Sequence, residues 1–221
     1  MHQNAVVRPI SNCKSTGPRP VILVDSTATQ TREDTMATPT VKKSWSRIET
    51  WLGNHAPSYA KALGKPATEK AISTLTEKFD LKFPKPFVDS SLIHTGQKDE
   101  CDFIPDGFGT FFLLQLKDIP REWKMLNDIK ACGDFDDSNP EPDNGVANEW
   151  WTEAWIPFAS NGGGDLLCLD SKPPKGGKKW QVVKFVHDGP ERLIVAPSFA
   201  DWLGQVADAV ESGELSDLIE A

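Results

Sequence analysis

A histidine beside an aspartate is raw material for general-base chemistry, and the chain offers one such pair, His187-Asp188. No serine or cysteine in an elbow motif accompanies it. Neighbours on a strand face opposite ways, so His187 is expected to be a hydrogen-bonding structural residue rather than a general base. His94 is expected to close a helix. Asp165, Asp170 and the acidic stretch after residue 127 carry the oxygen ligands a hard cation takes, but no loop has EF-hand spacing. The four cysteines, Cys13, Cys101, Cys132 and Cys168, form no close pairs and match neither a disulfide framework nor a zinc pattern. Cys168, inside Leu166-Leu167-Cys168-Leu169, reads as a small buried hydrophobe. No catalytic residue, metal site or cofactor is expected.

The remaining chemistry-bearing features are a glycine run and a tryptophan cluster. Gly162-Gly163-Gly164 lacks the GxxxxGK[ST] spacing and the following helix of a phosphate cradle. It sits between two apolar runs, so Trp155–Asp170 reads as strand, turn, strand, serving as a plain hairpin or as a shaped recognition edge. Asp165 is placed to hydrogen-bond the turn's own amides, and Pro157 suits an edge or a bulge. Eight tryptophans accompany one tyrosine. Trp45, Trp51, Trp123, Trp180 and Trp202 fall at core spacing. Trp150, Trp151 and Trp155 instead follow Asp128–Glu149, where seven acidic residues face Lys130 alone. Large aromatics beside carboxylates suit a binding hot spot with a charged rim. Trp150, Trp151, Trp155, Asp134, Asp136, Asp137, Glu141 and Asp143 are therefore the candidate partner-binding residues, with at least one of the tryptophans facing solvent.

Charge narrows the partner. The net charge is −8; residues 1–35 carry +1, leaving −9 on the remainder. Such a surface repels phosphate backbones, and no Lys/Arg cluster interleaves with the aromatics, which argues against nucleic acid. A cationic protein complements it. No apolar stretch approaches the roughly 20 residues of a membrane span, and Val21–Val24 is too short for a signal-peptide core. A cytoplasmic location is expected.

The elements that must position these residues follow from periodicity. Residues 1–43, rich in Ser, Thr, Pro and Asn, read as a disordered tail, with Met36 as an alternative start. Ser44 is placed to cap a helix presenting Trp45, Ile48, Trp51 and Leu52 on one face. Pro66-Ala67-Thr68 opens another with Ile72, Leu75 and Phe79, and a short helix spans Phe87–His94. Strands are expected over Asp102–Pro105 and Phe108–Leu116, a helix over Ile119–Asn127, and a structureless acidic loop over Asp128–Glu149. Further strands are expected at Trp155–Phe158, Asp165–Leu169, Trp180–His187 and Leu193–Ala196. A final helix starts at Ser198, with Asp201 as its capping-box partner and Phe199, Trp202, Leu203, Val206 and Val210 buried. The layout is α+β: N-terminal helices, a central antiparallel sheet of about five to six strands and a C-terminal helix, over residues 44–212, with 213–221 as a short tail.

These pieces together resemble one superfamily. Trp45…Ile48-Glu49…Trp51-Leu52, Pro66-Ala67-Thr68, Leu81-Lys82-Phe83-Pro84 and Ser91-Leu92-Ile93-His94-Thr95-Gly96-Gln97 come first. Trp151…Trp155-Ile156-Pro157-Phe158-Ala159-Ser160 and Gly162-Gly163-Gly164-Asp165-Leu166-Leu167-Cys168-Leu169-Asp170 follow. Gln181-Val182-Val183…His187-Asp188, Arg192 and Val195-Ala196-Pro197-Ser198-Phe199…Trp202-Leu203 close the set. Over residues 44–205 the chain is similar to the SUKH superfamily, which groups fungal cell-wall assembly regulators of glucan synthesis with bacterial toxin-immunity proteins. Asn161, where Asp is commoner, and the long acidic stretch are departures.

The resemblance implies an α+β fold and action through protein contacts without a shared catalytic activity. It implies first an immunity-type protein that neutralises a cognate toxin, such as a cationic nuclease, by binding it. The alternative is a regulatory scaffold of the cell-wall assembly type. Gly162, Gly163, Gly164, Asp165, Asp170 and Trp202 are the family-motif positions with a structural role, so replacing Gly163 or Asp165 is expected to cost stability chiefly.

Overall fold

In the computed structural model, residues 40–98, 103–105, 110–133, 135 and 137–213 are described. The first helix starts about one turn before Ser44. Helix α1 spans Val41–His55 and is capped by Thr40, whose Oγ1 accepts from Lys43 N at 3.3 Å. Val41 and Ser44 join Trp45, Ile48, Trp51 and Leu52 on the buried face, so the helix expected to be capped by Ser44 is capped by Thr40 instead. Residues 1–39 of the expected tail, Met36 included, and residues 214–221 lie outside the described residues.

Helix α2 (Pro57–Ala62), α3 (Glu69–Phe79) and α4 (Lys85–Ser91) follow. Thr68 caps α3 by accepting from Ala71 N at 3.2 Å, and Asp80 ends it in the left-handed region at φ 49°. α4 stops at Ser91, short of His94. His94 lies just beyond, its Nδ1 2.7 Å from Gly64 O and its Nε2 2.9 Å from the Glu49 carboxylate. Helix α5 covers Ile119–Ala131 and α6 covers Phe199–Ser212. Ser198 caps α6 as expected, accepting from Asp201 N at 3.2 Å and donating to its carboxylate at 2.6 Å.

Among the described residues seven strands form the sheet: β1 (Ile104–Pro105), β2 (Thr110–Leu113), β3 (Glu141–Pro142), β4 (Trp155–Ser160), β5 (Leu166–Asp170), β6 (Val182–Phe185) and β7 (Glu191–Ala196). Their order is β1-β2-β4-β5-β6-β7-β3. Every pairing is antiparallel except β3 with β7, so the sheet expected as antiparallel is mixed at one edge. That edge comes from the acidic stretch expected to be structureless: α5 runs on through Ala131, and Glu141 and Pro142 pair with Glu191 and Arg192. The strand expected over Trp180–His187 shrinks to Val182–Phe185. Trp180 sits before it at φ 69°, its N–H donating to Asp170 O at 2.7 Å and its ring stacked on Phe83 at 6.0 Å.

Side-chain alternation feeds two cores, one on each face of the sheet. Ile156, Phe158, Leu167, Leu169, Val182 and Ala196 pack with α1, α4 and α6. Trp155, Leu166, Cys168, Val183 and Phe185 pack on the other face with Leu126 of α5 and with Val146, Trp150 and Trp151. β4 and β5 are buried along their whole length, which explains their nearly unbroken apolar sequence. Pro157, tolerated in a central strand only at an irregularity, sits where the β4–β5 register shifts.

Candidate functional site

The tryptophans after the acidic stretch do not face solvent. Trp150 is 6% exposed, and Trp151 and Trp155 are fully buried. Trp151 packs edge-on against Trp155 at 5.7 Å, Trp150 and Trp151 pack edge-on against Phe185 at 5.4 and 5.3 Å, and Phe135 stacks on Trp150 at 3.9 Å. The expectation of a solvent-facing hot spot is thereby overturned: sheet face and loop together bury too much apolar surface to leave an indole outside. The carboxylates of the stretch are dispersed. Asp143 accepts from Ile194 N at 2.7 Å and holds the β7 edge, while Glu141 and Asp137 are exposed. Asp128 pairs with Lys124, and Glu149 with Lys130. Asp134 and Asp136 lie outside the described residues.

This second core is fastened by Arg192, 1% exposed. Its Nε donates to Trp150 O at 3.0 Å, and its Nη1 lies 2.7–3.0 Å from the carbonyls of Val186, Gly189 and Glu191. The guanidinium rests over the Phe185 ring at 4.5 Å. No carboxylate pairs with it among the described residues, and burial lowers its pKa to about 10.

The glycine turn is built from its own polar groups. Asn161 Oδ1 accepts from Gly163 N at 2.8 Å and Asp165 N at 3.0 Å, and Ser160 Oγ accepts from Gly162 N at 3.1 Å. Asp165 accepts from Asn161 Nδ2 at 3.0 Å through one oxygen and from His187 N at 2.8 Å through the other. The turn is thus bolted to the end of β6. Gly164, at φ 109°, lies against the His187 ring: a Cβ there would stand 2.8 Å from Cγ.

His187 and Asp188 do meet, Nδ1 to Oδ1 at 2.8 Å. The strand geometry that was to separate them ends at Phe185, and the bend after it brings the two side chains together. Among the described residues no serine, threonine or cysteine hydrogen-bonds to His187, and the amides of Gly162, Gly163 and Asp165 are held by side chains of the turn itself, so no hydroxyl or thiol is bonded to the pair as a nucleophile would be.

Two further motif residues, Asp170 and Trp202, are buried. Asp170, 1% exposed, accepts from Lys172 N at 3.1 Å and Gln181 Nε2 at 3.3 Å. Burial, the largest influence, raises its pKa above the ordinary 3.8 despite those donors. The Trp155 indole faces this carboxylate outside good hydrogen-bond geometry, leaving Nε1 without a partner. Trp202 packs edge-on to Phe158 at 4.7 Å. Burial likewise raises the Cys168 thiol.

The concave surface at this turn is a groove of about 520 Å³. One wall is the turn, with Gly162, Gly164 and His187; the other is α5, with Arg121 and Met125. Phe112 and Leu166 line its apolar part, and the Gln97 side chain extends the β2 edge by accepting from Leu113 N at 2.7 Å. Met125 is 47% exposed, the most exposed large hydrophobe among the described residues. Sequence reasoning missed this surface. The signal was available in α5, where Met125 falls between the inward positions of Trp123 and Leu126.

A mixed-sheet α+β domain with a glycine turn bordering an open groove is the class of protein these features define. The family model described as SMI1 / KNR4 family (SUKH-1) matches residues 66–205, and the chain belongs to that family. Among curated proteins it is similar to a "KNR4/SMI1 homolog" of Yarrowia lipolytica, 28% identical over 79% of this chain and 31% of that protein. It is 23% identical to the "Cell wall assembly regulator SMI1" of Saccharomyces cerevisiae, over 77% of this chain and 40% of that protein. It is 28% identical to the "Cell wall biosynthesis/cell cycle regulator smi1" of Schizosaccharomyces pombe, over 80% and 37% respectively. The chain thus spans well under half the length of these relatives.

Proposed function

We propose that this chain is a non-catalytic regulatory protein of the cell-wall assembly type, acting by holding a protein partner in the groove between α5 and the glycine turn. The observation that carries the reading is that relatives matching over three-quarters of the chain bear the names of wall-assembly and glucan-synthesis regulators. The groove supports it with an apolar floor, an exposed Met125 and a polar rim, the composition of a transient contact. A His–Asp pair lacking a nucleophile fits the same view. Toxin neutralisation, the first implication of the resemblance, draws no support from these relatives. The cytoplasm is the compartment this role requires.

The test is a chimera in which the whole 221-residue chain replaces the aligned stretch of the Saccharomyces cerevisiae relative. Cell-wall glucan is measured in a strain dependent on it. The unsubstituted chimera is expected to maintain glucan. Arg121→Glu/Met125→Glu, at equal protein level, is expected to lose it. Equal glucan from both chimeras would overturn the groove as the working surface.

A further inference from the structure

A second concave surface lies between α3 and the segment leading into α5, with a volume of about 440 Å³. Lys70, Thr74 and Lys78 follow one another at four-residue steps along α3, and Ala71 and Leu75 run beside them as a parallel apolar stripe. The facing wall is Leu116, Lys117 and Pro120. Lys70, Lys78 and Lys117 are all exposed, and none has an ion pair among the described residues. No acidic residue lines the groove. The neighbouring carboxylates are engaged: Glu77 accepts from Ser73 Oγ at 2.8 Å, and Asp118 pairs with Arg121 at 3.8 Å. On a chain of net charge −8, three unopposed cations around an apolar floor are a local reversal of the surface field.

We propose that this groove docks an acidic amphipathic helix of a protein partner. The groove runs along a straight helix, which suits a helix laid beside it with its apolar face down. Lys70 and Lys78 stand eight residues apart on α3, about 12 Å along its axis. A partner helix meets both with carboxylates two turns apart, while leucines at the intervening three- and four-residue steps cover Ala71 and Leu75. Lys117 closes the far edge. A nucleic-acid backbone, by contrast, finds only three cations and an apolar floor with no aromatic to stack on. The inference rests on the protein-binding reading above and names the partner chemistry of a surface distinct from the Met125 groove.

The experiment titrates the purified full chain into a fluorescein-labelled helical peptide with Glu two turns apart and Leu between, reading anisotropy at low and high salt. Saturable binding that weakens with salt is expected. Lys70→Glu/Lys78→Glu/Lys117→Glu should weaken it about tenfold or more with an unchanged melting temperature, and Met125→Glu should leave it intact. A peptide with Leu replaced by Ser should also bind about tenfold more weakly. Absence of saturable binding, equal binding by the triple variant, or equal binding of the Ser peptide would each overturn the proposal. So would tighter binding of a single-stranded oligonucleotide, or occupation of the groove by a second copy or by residues 214–221, read as dimerisation or as a gain in peptide binding on their removal. Because the glucan assay reads Met125→Glu and this one reads the lysines, failure here leaves the regulatory reading standing, and the converse holds.

Discussion

Asp165 joins the glycine turn to the end of β6 with one carboxylate, and the residue before it shows how little room that joint leaves. At Gly164 a methyl group meets the His187 side chain at 2.8 Å from Cγ and 2.9 Å from Cβ and the backbone is at φ 109°, whereas at Gly163 the nearest atom is 3.5 Å away and φ is unexceptional. Gly164→Ala is therefore expected to cost about 2–4 kcal/mol in urea denaturation, and Gly163→Ala to stay within about 0.5 kcal/mol of wild type. The expectation that Gly163 is a stability position gives way to Gly164 for this reason. Three consecutive glycines look alike in sequence because the conformation each adopts is imposed by what packs on it. Asp170 supplies a pH test. Its folded-state pKa is raised above 3.8, so the folded state holds the proton more tightly than the unfolded state. The stability this contributes is present at acid pH and is lost as pH rises from the ordinary value through the raised one. Relative to Asp170→Asn, the wild type should lose stability across that interval and run parallel above it, as followed by urea midpoints at stepped pH.

At the level of elements, the two faces of β4–β7 each own a core, and Arg192 ties the one beneath the Trp150 loop to the β6–β7 turn. Arg192→Ala leaves the carbonyls of Trp150, Val186, Gly189 and Glu191 without their donor, and a loss of about 3 kcal/mol or more is expected by chemical denaturation. Arg192→Lys is not expected to restore it, since one ammonium cannot serve both the Trp150 carbonyl and the turn carbonyls in that fork. Ser198→Ala should cost about 1 kcal/mol through the lost cap of α6, with Ser198→Asp retaining most of it. Much of this architecture was legible in the sequence. The helical faces of α1, α3 and α6, the β4–β5 hairpin and the Ser198 cap followed from periodicity and capping chemistry, which are local. What was not legible depended on distant pairing. Thr40 outcompetes Ser44 as the cap because Ser44 is buried under the domain, Trp180 leaves the strand to stack on Phe83, and Glu141–Pro142 becomes a parallel edge because β7 is there to receive it. The tryptophans misled for the same reason. Acidic neighbours suggested a rim, but burial is decided by the opposite face of the sheet.

Over the whole molecule, a net charge of −8 coexists with two grooves of different character. One, beside Met125 and the glycine turn, is apolar with a mixed rim; the other, along α3, has lysines as the only charged residues of its lining. The family relationship was readable in the order of short motifs, since these hold the hairpin and the buried helical faces. The groove was not, because its walls come from segments far apart in the chain, Gln97, Phe112, Met125 and Gly164 among them, whose convergence no local pattern records. Membership in the SMI1 / KNR4 family and an exposed apolar groove are the two supports of the central proposal, that the chain works by contact with a protein at the Met125 surface. Site-specific photocrosslinking in fungal cells tests this most directly, with a photoreactive residue placed at position 125 or, as a control, at the exposed Leu193 on β7. A discrete protein adduct from position 125, absent from position 193 and lost with Arg121→Glu, is the predicted result. No adduct at 125, or the same adducts from both positions, would contradict the account.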